Sequence, residues 1–196
     1  MPSNALPSNP RNIEAVIRSA KILIVDDEFY MRKVVRTLLL SMGVTDVHDA
    51  PDGANGLAAI RAFQPDVVLL DWQMAGMNGP DFVRLVRSST SFPDPNVPII
   101  MFTTHGEPSR VIEAMRLGVH EFLVKPVSAK ALYERLASVL LNPRPVMKRG
   151  SDYGPAPRAL PHARDFKHRE QPRYSAPQAH AQRKVDCRTS DMIVLD

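Results

Sequence analysis

Four runs of consecutive apolar residues recur along the first two thirds of the chain. They cover residues 22–25, 67–70, 99–102 and 122–124. None of them alternates apolar with polar positions, and short continuous apolar runs are typical of parallel strands that helices cover on both faces. A fifth, less apolar strand is predicted at residues 44–48.

Between these runs, apolar residues recur every three or four positions, which predicts five helices that each bury one face. Residues that favour helix starts and ends frame the five segments: Asp52 and Ser128 as N-caps, Pro80 and Pro108 in first turns, Gly43 and Gly118 at ends. Five strands alternating with five helices indicate an α/β fold of parallel βαβ units with right-handed crossovers. One or two turns of an additional helix are expected within residues 12–17.

Composition divides the chain into an N-terminal extension at residues 1–20, one folded domain at residues 21–141 and a tail at residues 142–196. The domain has 12 Lys and Arg residues against 14 Asp and Glu residues, whereas the tail has 11 against 6, so the basic character belongs to the tail. Seven prolines and almost no periodic apolar positions predict that the tail is mostly disordered. Its apolar segment at residues 192–195 is either a docking element or a terminal cluster that frays in solvent.

Cysteine usage and hydropathy indicate a cytoplasmic protein without membrane insertion. Cys187 is the single cysteine, so no internal disulfide can form and a reducing compartment is expected. The first dozen residues lack the apolar stretch of a signal peptide, and no run approaches the roughly 20 apolar residues of a membrane span. At 196 residues, 44% of them hydrophobic, the chain is expected to bury one core.

Side chains with distinct chemistry follow the four apolar runs. Asp26 and Asp27 follow the first run, Asp71 the second, Thr103 the third and Lys125 the fourth. In a parallel sheet these positions meet at one edge, beyond the carboxyl ends of the strands, where ligands bind. Carboxylates gathered there repel one another unless a cation neutralises them, and Mg²⁺ takes hard oxygen ligands and pairs carboxylates with phosphate oxygens. The pattern therefore predicts a magnesium-dependent phosphoryl acceptor site.

A simpler explanation exists for each of these residues alone. Acidic residues often begin helices, where they complement the helix dipole, and that explanation suffices for Glu28. A lone Lys125 would be a solvated charge, and a lone Thr103 would be a loop cap. The simpler explanation accounts poorly for all of them together at strand ends.

Together these residues resemble the receiver domains of two-component response regulators, of the single-domain chemotaxis type. The resemblance covers residues 21–141. It rests on Ile-Leu-Ile-Val-Asp-Asp at the start, Pro-Asp-Gly at residues 51–53, Asp-Trp-Gln-Met followed by Gly79, Phe-Thr-Thr, and Leu-Val-Lys-Pro. It implies a flavodoxin-like fold, a doubly wound five-stranded parallel sheet with strand order 2-1-3-4-5.

The resemblance also implies how the acidic residues act. Asp71 would be the phosphoacceptor. Asp27 and Asp71 would bind Mg²⁺ through their side chains, Asp26 would lie near the ion or reach it through water, and Gln73 would bind it through the backbone carbonyl.

Thr103 and Lys125 would hold the phosphoryl group, and Thr103 with Phe122 would form the switch. The chain departs from the usual family pattern at Ala75, where proline is common, and at Thr104, where a smaller residue is common. Phe122 replaces the tyrosine of the chemotaxis type, so switching cannot depend on a phenolic hydroxyl. None of these departures removes a required chemical group.

The expected function is that of a response regulator in a phosphorelay. A histidine kinase or a phosphotransfer protein would donate the phosphoryl group to Asp71, and a changed surface would signal to a downstream protein. Phosphotransfer and dephosphorylation would be self-catalysed, so the protein would not be a conventional enzyme. The tail shows no helix-turn-helix pattern, which argues against a DNA-binding output domain. The alternative is a module whose basic tail carries the output by binding nucleic acid or a cyclic dinucleotide.

Overall fold

The computed structural model describes residues 10–88, 92, 95–104, 108–142, 144, 146–149 and 152–156. Six helices and seven strands follow one another along these ranges. The helices are α1 (Pro10–Ser19), α2 (Phe29–Ser41), α3 (Gly53–Phe63), α4 (Gly79–Arg87), α5 (Pro108–Leu117) and α6 (Ala129–Leu141). The strands are β1 (Ile22–Val25), β2 (Val47–Ala50), β3 (Val67–Asp71), β4 (Ile99–Thr103), β5 (Glu121–Val124), β6 (Val146–Arg149) and β7 (Asp152–Pro155).

The first five strands form one parallel sheet in the order β2-β1-β3-β4-β5. The predicted doubly wound, flavodoxin-like fold is therefore confirmed. Strand β2 was predicted at residues 44–48 and lies instead at Val47–Ala50. The reason is local, since the N–H of Val44 donates to the carbonyl of Leu39 and closes the end of α2 rather than joining the sheet.

Helices cover both faces of the sheet, as the continuous apolar strands require. On one face, β-strand side chains pack with Ile60 of α3, Phe82 of α4 and Ala114 of α5. On the other, they pack with Ile17 of α1, Leu39 of α2 and Leu136 of α6. The helices on the two faces bury the central strands β1 and β3. The residues at the carboxyl ends of these strands are therefore held in fixed positions at one edge of the sheet.

Most of the predicted helix boundaries are confirmed. Asp52 caps α3 by accepting from the N–H of Asn55 at 2.8 Å, and Ser128 caps α6 by accepting from the N–H of Ala131 at 3.2 Å. Gly118 directly follows α5 with a positive φ of 92°, the conformation that glycine adopts most easily. The predicted additional helix at the N-terminus is α1, which is longer than expected. Its residue Ile17 is 1% exposed and packs α1 against the same face of the sheet as α2 and α6.

A two-stranded antiparallel hairpin, β6–β7, follows α6 and was not predicted. One tie to the domain is Arg144, which donates from Nη1 to the carbonyl of Ala156 at 3.0 Å and from Nη2 to the carbonyls of Val119 and His120. The ordered unit thus continues past residue 141, the predicted domain boundary. The prediction of disorder for the rest of the tail, and that of a docking element at residues 192–195, lie outside the described residues.

A buried polar junction lies at the amino ends of β4 and β5, opposite the strands' carboxyl ends. Arg87, with 1% of its surface exposed, donates to the carbonyls of Val97 at 2.9 Å and Gly118 at 3.2 Å. His120 accepts from the N–H of Ile99 through Nδ1 at 3.2 Å, which places its proton on Nε2. Burial, with the charges of Arg87 and Arg144, lowers the pKa of His120 from 6.5 to about 3. The imidazole is therefore neutral in the native protein.

Within the described ranges, none of the six helices combines the length and the apolar character needed to traverse a bilayer.

Candidate functional site

Three aspartates meet at the carboxyl edge of the sheet. Asp71 is the last residue of β3, and Asp26 and Asp27 directly follow β1, its neighbour in the sheet. One carboxylate oxygen from each lies within 4.8 Å of the others. Asp26 and Asp71 are 1% and 6% exposed, whereas Asp27 faces solvent. The register of two parallel strands thus places carboxylates from distant parts of the sequence side by side, as predicted.

Lys125 brings a positive charge to the same place from the far side of the sheet. It directly follows β5, and its Nζ lies 2.9 Å from Asp26 Oδ2 and 2.9 Å from Asp71 Oδ1. The backbone N–H of Lys125 donates to the carbonyl of Thr103 at 2.7 Å, and its peptide bond to Pro126 is cis. The ammonium therefore bridges the two buried carboxylates.

Backbone N–H groups hold the second oxygen of each buried carboxylate. Asp26 Oδ1 accepts from the N–H of Glu28 at 2.8 Å, and Asp71 Oδ2 accepts from the N–H of Gln73 at 3.2 Å. Each loop turns back on the strand that precedes it, which fixes the side-chain orientation. Sequence reasoning treated Glu28 only as a helix-start residue and missed its backbone contribution.

The exposed Asp27 is held from the other loop. Its Oδ2 accepts from the N–H of Ala75 at 2.9 Å, so the segment after β3 is tied to the segment after β1. Ala75 stands where the family usually has proline, which has no N–H to donate. This departure from the family pattern therefore supplies a hydrogen bond that a proline at this position could not make.

Close backbone packing after β3 depends on Gly79, the first residue of α4. Its N–H donates to the carbonyl of Trp72 at 2.9 Å, and a Cβ placed on it would lie 2.5 Å from the carbonyl oxygen of Asp71. Any side chain here would have to displace the backbone of the aspartate. Gly79 entered the sequence analysis only as part of a motif, since a sequence alone does not reveal which backbone it approaches.

The charges of the site perturb one another. Burial raises the pKa of the Asp71 carboxyl, the hydrogen bond and charge of Lys125 oppose the rise, and the charge of Asp26 adds to it. Burial lowers the pKa of the Lys125 ammonium, but the hydrogen bonds to Asp71 and Asp26 outweigh burial and raise the pKa overall. When all four groups are ionised, three carboxylates face one ammonium, so a negative charge remains for a cation to neutralise.

The donor set fits Mg²⁺. Carboxylate oxygens are hard ligands, and Mg²⁺ is usually held by one or two carboxylates with several waters retained. The solvent-facing Asp27 leaves room for such waters, whereas the buried Asp26 and Asp71 supply fixed oxygens. The acidic cluster is thus compatible with the predicted metal.

The remaining predicted residues surround this cluster. Thr103 is the last residue of β4 and is 1% exposed, and Gln73 lies in the loop directly beyond Asp71. Phe122 is partly buried and meets Trp72 edge-on, with 6.4 Å between ring centres. Thr104 is exposed, and His105 lies outside the described residues. Sequence reasoning missed one neighbour, Arg110 of α5, whose guanidinium carbon lies 5.4 Å from the centre of the Trp72 ring.

Comparison with known proteins places the chain in a family. The family model of the response regulator receiver domain matches residues 22–137. The chemotaxis protein CheY1 of Helicobacter pylori is 40% identical over 121 residues, which are 61% of this chain and 96% of that relative. The chemotaxis protein CheY of Pseudomonas aeruginosa is 35% identical over 119 residues, 61% of this chain and 94% of that relative.

Solved structures agree with the sequence relatives. The chemotaxis protein CheY4 of Vibrio cholerae has a TM-score of 0.57 and 34% identity, covering 62% of this chain and 99% of that chain. The receiver domain of the Francisella response regulator 1452 has a TM-score of 0.55 and 26% identity, covering 60% of this chain and 93% of that chain. The similarity therefore spans nearly the whole of these proteins, while this chain extends beyond them.

Proposed function

This chain belongs to the response regulator receiver family, and from that premise we propose that Asp71 accepts a phosphoryl group from a histidine kinase or a phosphotransfer protein. The observation that carries the proposal is the position of the Asp71 carboxylate, between the ammonium of Lys125 at 2.9 Å and the acidic residues Asp26 and Asp27. An acceptor carboxylate needs both a cationic partner for the incoming phosphoryl oxygens and a site for a divalent cation.

Mg²⁺ would be held by the side chains of Asp27 and Asp71 and by the backbone carbonyl of Gln73, with Asp26 near it or linked through water. The chemistry that the bound ion would supply is neutralisation of charge on the phosphoryl oxygens. The fixed hydrogen bonds to Asp26, Asp27 and Asp71 support this assignment because they orient the carboxylates before any ligand arrives.

The transfer itself is a nucleophilic displacement at phosphorus. A carboxylate oxygen of Asp71 forms a bond to phosphorus as the phosphorus–nitrogen bond of the donor phosphohistidine breaks, and the imidazole leaves with the electron pair. Lys125 neutralises charge on the phosphoryl oxygens during this step. Attack of water on phosphorus later releases inorganic phosphate and restores the carboxylate, which resets the switch.

Phosphorylation would alter the surface formed by residues 108–141. The modification adds roughly −1.5 to −2 charges and three acceptor oxygens. The Thr103 hydroxyl would move toward these oxygens, and Phe122 would occupy the space that it leaves. The edge-on packing of Phe122 against Trp72 supports this route, since Trp72 directly follows the phosphoacceptor. A downstream protein would read the changed surface.

The proposal is tested by phosphorylation with a histidine kinase and with a small phosphodonor. Wild type should be labelled in the presence of Mg²⁺ and should not be labelled when the metal is chelated beforehand, whereas Asp71→Asn should not be labelled in either case. Asp46→Asn, which changes an exposed carboxylate elsewhere in the domain, is the matched control. Labelling of Asp71→Asn with the same acid-stable, base-labile chemistry would refute the assignment.

A further inference from the structure

A polar pocket of about 440 Å³ lies beside the phosphoacceptor, between α4 and α5. Trp72 and Gln73 line it from the loop after β3, Arg84 lines it from α4, and Arg110 and Glu113 line it from α5. Its volume falls within the range of about 300–1,000 Å³ that is usual for ligand sites in proteins. The family assignment gives no role to this pocket.

Arg110 is the pocket residue whose N–H donors are available to bind a ligand. Its guanidinium lies over the Trp72 ring, and within the described part of the chain that ring is the one group with which it interacts. Arg84 differs, because its Nη1 is already bound to Asp81 Oδ1 at 2.6 Å. A guanidinium carries five N–H donors in a planar fork that matches a carboxylate. The aromatic ring holds this fork in place without consuming those donors.

The charges of the pocket wall indicate the chemistry of its ligand. Two arginines, Arg84 and Arg110, and one acidic residue, Glu113, line the pocket, so the wall carries a net positive charge. Such a wall favours a ligand with a single negative charge, and an acidic side chain of a partner protein carries one.

We propose that the pocket receives an Asp or Glu side chain from a partner protein, with Arg110 binding the carboxylate. Glu113 in the pocket wall disfavours a dense polyanion such as nucleic acid, because each additional ligand charge would be repelled. The inference deepens the proposed function, since it names the chemistry of a partner. The inference depends on the proposed function in one respect, since Trp72 directly follows Asp71 and would connect peptide binding to phosphorylation.

The test uses two tripeptides that differ by one functional group, acetyl-Leu-Glu-Leu-amide and acetyl-Leu-Gln-Leu-amide. Binding to the unphosphorylated full chain is followed by the fluorescence of Trp72, the single tryptophan of the chain, and by the shifts of its indole N–H. The Glu peptide should bind wild type about tenfold more tightly than the Gln peptide does, since a hydrogen bond to a charged group is typically worth that much. Arg110→Ala should abolish the difference, and Arg110→Lys should retain part of it.

Arg116→Ala is the matched control, because Arg116 is an exposed arginine of the same helix and does not line the pocket. Equal binding of the two peptides, unchanged binding by Arg110→Ala, or no saturable response with either peptide would overturn the inference. Failure of phosphorylation at Asp71 would be seen in the labelling experiment and would leave this peptide result unaffected.

Discussion

Replacement of His120 by asparagine should make the free energy of unfolding of this protein fall less steeply as the pH is lowered. His120 is 5% exposed, and its Nδ1 accepts the N–H of Ile99, so only the neutral imidazole fits the native structure. The asparagine side-chain carbonyl can accept the same N–H but does not titrate. The two proteins should therefore differ in how their stability depends on pH.

The expected magnitude follows from the pKa of His120, which burial and the charges of Arg87 and Arg144 lower from 6.5 to about 3. Between these two values the unfolded chain binds a proton that the native protein excludes, so stability is lost as pH falls below 6.5. The loss is about 1.4 kcal/mol per pH unit. From pH 6.5 to pH 5.0 the histidine should therefore cost the wild type about 2 kcal/mol relative to His120→Asn.

Urea unfolding of both proteins between pH 7.5 and pH 5.0 measures this difference, since carboxylates and other histidines contribute equally to both. His120→Gln serves as a second variant in case asparagine fits poorly. A difference in unfolding free energy that stays constant across this range would refute the reasoning. So would an NMR titration in which the His120 ring protonates near pH 6.5 in the folded protein.

Three further substitutions, the first with a matched glycine control, test other parts of the structure. Gly79→Ala should lower stability by about 1–3 kcal/mol through overpacking against the Asp71 carbonyl and should slow phosphorylation. Gly76→Ala, which meets no atom within 4 Å, should cost only the strain of its positive φ, and equal effects would contradict this contact argument. Arg144→Ala should abolish hydrogen-exchange protection of the β6–β7 hairpin while leaving phosphorylation intact, and a protected hairpin would show that Arg144 does not hold it. Thr103→Ala should accept phosphate at Asp71 but shift the NMR signals of residues 108–141 less than wild type does, and identical shifts would exclude Thr103 as the coupling residue.

The sheet and the acidic cluster were accessible to sequence reasoning because both follow from short-range patterns. Continuous apolar runs identify buried parallel strands, and the residue that ends each run falls at the ligand edge whatever the packing details. Asp71 and Lys125 could thus be grouped before any coordinates. The start of β2 was misplaced because Val44 is apolar, as a strand residue would be, but its N–H bonds to the end of α2. Whether this N–H bonds to the helix or to the sheet cannot be decided from the apolar character of the side chain.

Contacts between distant backbone segments were beyond the sequence. The approach of Gly79 to the Asp71 carbonyl and the position of Arg110 over Trp72 depend on how loops and helices pack. The β6–β7 hairpin was missed for a different reason. Its strands are short and lie in a proline-rich segment, and the side chain that ties them to the domain, Arg144, looks like any tail arginine until its carbonyl partners are known.

The bridge between Lys125 and Asp26 joins residues that are 99 positions apart, and this has a consequence during protein synthesis. A ribosome that has released β1 and β3 has delivered all three aspartates but not the ammonium that lies among them. Until β5 emerges and pairs with β4, a nascent chain carries the three carboxylates without their cationic partner. The two buried carboxylates therefore gain their charge partner in a single late step, when the last strand of the parallel sheet is added.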